Sequence, residues 1–140
     1  MSPLRVLDNI ISDRGSKYAV SGGPCLSGEE ARTFVRELKR NKKFAKANHN
    51  SWGLLCGAER LKQDDGEAGA GMIILRMLET EGLHNHLVVV TRWFGGKHLG
   101  GDRFRHIQEA VRIYLNDLAT GGGPEWARQS RRSAGNPESR

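Results

Sequence analysis

The chain is poor in cysteine. Cys25 and Cys56 stand far apart and form neither a Cys-x-x-Cys pair nor a zinc-ligand spacing. That excludes a disulfide scaffold and a zinc module, and it predicts reduced thiols in an intracellular, cytoplasmic setting. Long hydrophobic runs are missing too. No apolar segment approaches the ~20 residues of a membrane span, and none opens the chain as a secretory leader, so a soluble protein with no membrane partner is expected. Aromatic residues make up only 6% of the sequence. Cofactor fingerprints are absent. A P-loop would need glycine six positions before Lys97, where Thr91 stands, and Gly95, Gly96 and Gly100 have the wrong spacing for a dinucleotide loop. No cofactor is therefore expected.

Glycine and positive charge are well represented. The 140 residues fit one domain with a real core. The formal charge of +6 is compatible with nucleic acid, ribosomes or acidic protein surfaces, and equally with a solvated basic exterior. Eighteen glycines cluster in turns, most conspicuously after the aliphatic run Leu87-Val88-Val89-Val90. A run without alternation suits a strand buried on both faces. Arg92 follows where that strand should surface. Gly95-Gly96 and Gly100-Gly101 then permit positive φ and close approach, and Asp102 reads as the N-cap of the next helix. Backbone N–H groups, Arg92, Lys97 and Arg103 would face one space, a geometry suited to an anion. The plain alternative is a tight strand-to-helix connection.

The rest of the chain supplies the elements around this stretch. Residues 1–15 form an extension, either an added strand or a short helix. Ser16–Ser21 reads as a strand ended by Gly22-Gly23-Pro24. Ser27-Gly28-Glu29-Glu30 is a capping box in which Glu30 should reach back to the cap N–H, and Ala31, Phe34, Val35 and Leu38 form the buried stripe of the helix behind it. Lys39, Arg40, Lys42 and Lys43 suit that helix's negative end; with Lys46 they are also a candidate phosphate contact. Ser51–Cys56 and Glu59–Gln63 read as strands.

Asp64-Asp65-Gly66-Glu67 places three carboxylates in four positions. They suit a divalent cation or a general base, or else a solvated turn paired with arginines; no EF-hand spacing is present. Met72–Glu81 should be a largely buried helix closed by Gly82, its positive end a second possible anion site. His84 and His86 lack a third metal ligand and read as loop histidines. Phe104, Ile107, Val111, Tyr114, Leu115 and Leu118 mark the core stripe of the last helix. From Gly121 to Arg140 the sequence is basic and poor in apolar residues, which predicts a disordered tail. Arg128, Arg131 and Arg132 there are candidate polyanion contacts.

Several stretches together resemble one family. Ser16-Lys17-Tyr18, Ala47-Asn48-His49-Asn50, Asp64-Asp65-Gly66-Glu67, Ala70-Gly71 and Val88 through Gly96 are similar to the IMPACT/YigZ family in order and spacing, over roughly residues 14–119. Leu99 to Ile107 is similar to the eukaryotic IMPACT branch. The resemblance implies an α+β two-layer sandwich, a four-stranded, mostly antiparallel sheet with helices on one face, like the second domain of ribosomal protein S-five. It divides the chain into an extension (1–15), an IMPACT-like domain (16–120) and a basic tail (121–140). Ahead of the shared region stand those first residues, where IMPACT proteins carry an RWD domain; bacterial YigZ adds a ferredoxin-like domain after it. Gln63 replaces a common Ser, and Gly69 stands near a usual Thr, so hydroxyl-dependent chemistry is not expected there.

The resemblance adds Lys17, His49, Asn50 and Gly71 to the candidate binding residues Asp64, Asp65, Gly66, Glu67, Arg92, Gly95, Gly96, Lys97, Gly100, Asp102 and Arg103. It implies a non-enzymatic regulator tied to translation and the amino-acid-starvation response, acting through a protein partner. Direct RNA or ribosome binding through the basic glycine loop is the alternative, with Trp93 or Phe94 as a stacking residue. A third reading is an enzyme acting on a phosphorylated small molecule, joining the acidic run to His49 or His98. The acidic run is expected to meet the glycine loop, through Asp64, Asp65 or Glu67 pairing with Arg92 or Arg103.

Overall fold

The aliphatic run becomes the middle strand of a five-stranded sheet. The computed structural model describes residues 5–121. Its elements run β1 (Arg5–Asp13), β2 (Ser16–Pro24), α1 (Gly28–Leu38), α2 (Lys42–Ala45), β3 (His49–Cys56), β4 (Glu59–Gln63), α3 (Ala70–Glu81), β5 (His86–Trp93) and α4 (Asp102–Thr120). The strand order is β1-β2-β5-β3-β4, and every neighbouring pair is antiparallel. The expected α+β class and open antiparallel sheet are present. The strand count is five rather than four, because residues 5–13 add an edge strand.

The helices occupy both faces of the sheet, not one. Strand side chains alternate in direction. Val88 and Val90 of β5 join Tyr18 and Val20 of β2 in a core with Ile74, Leu75 and Leu78 of α3 and Ile107, Val111 and Tyr114 of α4. Leu87 and Val89 point the other way, joining Ala19, Trp52 and Leu54 in a second core with Phe34 and Leu38 of α1 and Phe44 of α2. A strand apolar at four successive positions, Leu87–Val90, needs a cover on each side, and it has one. Gly53 brings α3 close: a Cβ there would lie 3.0 Å from the backbone nitrogen of Leu75.

Local signals differ in small ways from the sequence reading. Gly22-Gly23-Pro24 does not end β2, which pairs with β5 through Pro24 opposite His86. Ser27 caps α1, its hydroxyl accepting from the Glu30 N–H at 3.1 Å. Glu30 Oε1 accepts from the Leu26 N–H at 2.8 Å, one residue before the cap. The basic stretch does not prolong α1. Asn41 starts a separate turn of helix, its side chain accepting from Lys43 N–H. Gly82 closes α3 with φ 69° as expected. Among the described residues no helix is long and apolar enough to cross a membrane. The tail from residue 122, with Arg128, Arg131 and Arg132, lies outside the described residues.

Candidate binding site at the glycine loop

Register places three site side chains abreast. Arg92 of β5 stands opposite Tyr18 of β2 on one side and His49 of β3 on the other. The strand that buries Val88 and Val90 therefore also draws Arg92 inward, and only 6% of the residue remains exposed. A buried guanidinium needs a partner. Glu67, itself 4% exposed, provides it. Arg92 Nη1 donates to Glu67 Oε1 at 3.2 Å and Oε2 at 3.0 Å, and Nη2 donates to Ser16 Oγ at 3.4 Å. Arg103, from the first turn of α4, sends Nη1 to Glu67 Oε2 and to the Ala68 carbonyl, both at 3.1 Å. The acidic run and the glycine loop thus meet, with one carboxylate between two guanidiniums. Arg92 Nε and Tyr18 Oη are buried and have no hydrogen-bond partner among the described residues.

The other two carboxylates of the run hold backbone. Asp64 Oδ1 accepts from Gly71 N–H at 2.8 Å and Oδ2 from Gly69 N–H at 3.1 Å. The positive end of α3 is therefore satisfied by the chain's own anion. Burial works against the Asp64 carboxylate, but the Gly71 and Gly69 N–H groups, helped by Lys62, outweigh it and hold its pKa below the usual range. Asp65 Oδ2 accepts from Asn50 N–H at 2.7 Å, and the Asp65 carbonyl bonds His49 Nδ1 at 2.9 Å. Asn50 Oδ1 in turn accepts from the Thr91 hydroxyl at 2.6 Å. With Asp64 and Asp65 so engaged, the cation reading of the run is not supported, and no group of ligands able to hold a metal occurs among the described residues.

The loop that follows β5 is pinned at both ends. Phe94 N–H donates to Asn48 Oδ1 at 2.7 Å, and Gly95 N–H donates to Ser16 Oγ at 3.2 Å. Gly95 lies so close to the β1–β2 turn that a Cβ would fall 2.0 Å from the Gly15 carbonyl carbon. At the far end Leu99 is buried in the core beside α4. Between these anchors Gly96 has φ 91°, and Gly96 and Lys97 make no hydrogen bond among the described residues. Phe94 is 43% exposed and leans on His98, with ring centroids 5.5 Å apart. Of the two stacking candidates only Phe94 is open; Trp93 is half-buried, with Nε1 donating to the Lys43 carbonyl at 2.9 Å.

Asp102 does not cap α4. It is the first residue of the helix, and Gly101 precedes it without a side-chain cap. The Asp102 carboxylate instead bonds Arg14, from the β1–β2 turn, and Arg105 Nη1 at 2.8 Å. The Arg14 bond, then Arg105, lowers its pKa. Asp13 beside it accepts from Arg14 and contacts His106 Nε2 at 2.7 Å. Those two bonds, Arg14 foremost, pull its carboxyl down to about 2.

His49, Gly66, Glu67, Arg92, Gly100 and Arg103 line one open cleft of about 540 Å³, with Phe94 and His98 at its mouth. Gly95, Gly96 and Lys97 form the adjoining loop. Asn50, Asp64, Asp65 and Gly71 are the scaffold behind it. Lys17 is exposed, level with Trp93 in the sheet. The basic stretch is not part of the cleft; Lys43 bonds Asp8 at 2.6 Å and lies over the Trp93 ring. His86 is engaged with the Tyr114 hydroxyl at 2.6 Å. Sequence reading missed Ser16, Asn48 and Ala68 as contributors. Ser16 and Asn48 lie inside the stretches that carry the family likeness, which was the available signal; Ala68 acts through its carbonyl and had none. A larger hollow of about 650 Å³ beside Pro24, Leu26 and Phe34 holds no comparable charge cluster and is rimmed by Glu29, Glu30 and Arg36.

Residues 14–115 match the family described as the Impact N-terminal domain. Protein IMPACT of Oryctolagus cuniculus is 35% identical over 121 residues, covering 82% of this chain and 38% of that protein. This chain thus spans roughly two fifths of that relative's length. A solved structure described as a hypothetical protein superposes with a TM-score of 0.71 at 24% identity, covering 83% of this chain and 61% of that one, a likeness of fold. The two-domain translational regulator Yih1 is 35% identical, covering 76% of this chain and 43% of that one, with a TM-score of 0.45.

Proposed function

The chain belongs to the Impact N-terminal domain family, and on that premise we propose that it is a non-enzymatic interaction domain of the cytoplasm, acting in translation control and the amino-acid-starvation response through a protein partner. The observation that carries this reading is how the site's charges are used. Glu67 is held between Arg92 and Arg103, and Asp64 and Asp65 hold backbone N–H groups. A general base needs a carboxylate free to take a proton, whereas these three are committed to the fold. What faces solvent is an aromatic ring, Phe94, bordered by His98, Lys97 and the outer edge of Arg103. An aromatic anchor inside a polar rim is the composition of a protein-recognition patch.

The regulatory part of the proposal draws on the family and on sequence likeness to a chain described as a translational regulator. Capture from a native lysate, with bound proteins identified by mass spectrometry, tests it. Ribosome-associated proteins retained after ribonuclease treatment are expected. Recovery that disappears with ribonuclease would favour direct RNA binding, the reading supported by the net charge of +6 and the exposed ring of Phe94.

A further inference from the structure

We propose that the cleft receives a single carboxylate, carried by an acidic side chain of the protein partner whose apolar neighbour packs on Phe94. This rests on the interaction-domain reading and names the chemistry of its ligand. Two guanidiniums and one carboxylate leave the triad with an unmatched positive charge. Arg103 uses only Nη1, toward Glu67 and the Ala68 carbonyl. Its Nε and Nη2 have no acceptor among the described residues, and the side chain is 27% exposed. The guanidinium lies 4.3 Å from the Phe104 ring centroid, so its plane is fixed before a ligand arrives.

Further donors lie in the adjoining loop, where the Gly96 and Lys97 N–H groups have no acceptor among the described residues and the backbone turns through φ 91° at Gly96. Arg92, which lines the cleft, keeps a buried Nε with no partner among the described residues. Glu67 already shows which group these arginines accept. A cleft of about 540 Å³ suits one or two side chains.

A carboxylate fits better than a nucleic-acid backbone. A strand of phosphates needs a continuous cationic track. Here no such track is formed: the arginines lining the cleft are Arg92 and Arg103, Lys43 of the basic stretch is bonded to Asp8, and Arg14 and Arg105 are held by Asp102. One carboxylate matches the single unmatched positive charge of the triad, and a row of phosphates finds no further cations in line with it.

The test titrates the full chain with the capped peptide acetyl-Leu-Glu-Phe-Glu-Leu-amide, with its glutamine counterpart and with a short oligouridylate, following the Gly96, Lys97 and Arg103 amide resonances. The glutamate peptide should shift them and the glutamine peptide should not. Arg103→Ala should weaken the glutamate peptide about tenfold or more, since a charge-assisted contact is lost. Arg103→Lys should fall between, because an ammonium keeps the charge without the fork. Thermal midpoints of both variants establish that they are folded. Equal shifts with both peptides, wild-type binding by Arg103→Ala, or shifts with oligouridylate alone would overturn the assignment. If the peptide fails while ribosome-associated proteins are still captured, the carboxylate site falls and the interaction reading stands. If the peptide binds and capture fails, the site stands and the translation role falls.

Discussion

Glu67 and Arg92 meet inside the protein, with side chains only 5% and 7% exposed, and Arg92 Nη1 donates to both carboxylate oxygens. The contact joins the turn before α3 to the end of β5. It fixes the floor of the cleft and depends on both charges being present.

Removing one partner therefore leaves the other charge buried. Glu67→Ala should destabilise the fold by about 3–5 kcal/mol in urea unfolding. Arg103→Ala, at the partly exposed edge of the same triad, should cost about 1 kcal/mol. Equal losses would show that the triad is not organised around Arg92.

The second prediction concerns the helix over the sheet. Leu75 and Leu78 of α3 are fully buried against β3 and β5. Leu75→Ala or Leu78→Ala should each cost about 2–5 kcal/mol. Losses below about 1 kcal/mol for both would contradict that packing.

Much of this was legible in the sequence. The unbroken run Leu87–Val90 marked a strand covered on both sides, and the structure covers it on both sides. The expectation of helices on one face came from the family resemblance and contradicted the run itself. Ser27, Gly82 and the stripe of α4 were read correctly because each is a local signal. β1 was harder. Its pairing shifts between Leu7 and Ile11, and Asn9 has φ 53°, so the alternation that identifies a strand is interrupted. Asp102 has the residue type of a cap, but Arg14 lies far away in sequence and claims it. The meeting of Glu67 with Arg92 and Arg103 was inferred from complementary charge, whereas the roles of Ser16 and Asn48 depended on a register no local pattern reveals.

Gly95 and Gly96 should fail differently. In Gly95→Ala the new Cβ would meet the Gly15 and Ser16 backbone at 2.0 and 2.3 Å, where no side chain can yield. The loop should part from the β1–β2 turn, shifting the Ser16 and Arg92 amides, at about 1–3 kcal/mol. In Gly96→Ala nothing is struck, and only the left-handed backbone at φ 91° resists, at about 1–2 kcal/mol. Unfolding curves and amide spectra of the two variants separate these mechanisms.

Acid should act first through His86. Burial, with Arg5 nearby, lowers its pKa from the ordinary 6.5. The unfolded chain then takes up a proton near 6.5 that the folded chain refuses, so stability falls as pH drops below that value until the folded imidazole also protonates. Thermal midpoints measured across this range should decline in the wild type and decline less in His86→Gln. Asp13 acts lower down. With its folded pKa at about 2 against an ordinary 3.8, its contribution is complete above 3.8 and disappears as pH falls toward 2. Asp13→Asn should remove that step.

The central claim is that the cleft beside the glycine loop is where a protein partner of the translation machinery docks. The most direct measurement is quantitative capture of ribosome-associated proteins from ribonuclease-treated lysate, comparing wild type, Arg103→Ala and the remote surface variant Arg40→Ala. The account predicts that Arg103→Ala loses most of the captured protein and Arg40→Ala retains it. Equal capture by all three, or capture abolished by ribonuclease in the wild type, would contradict it.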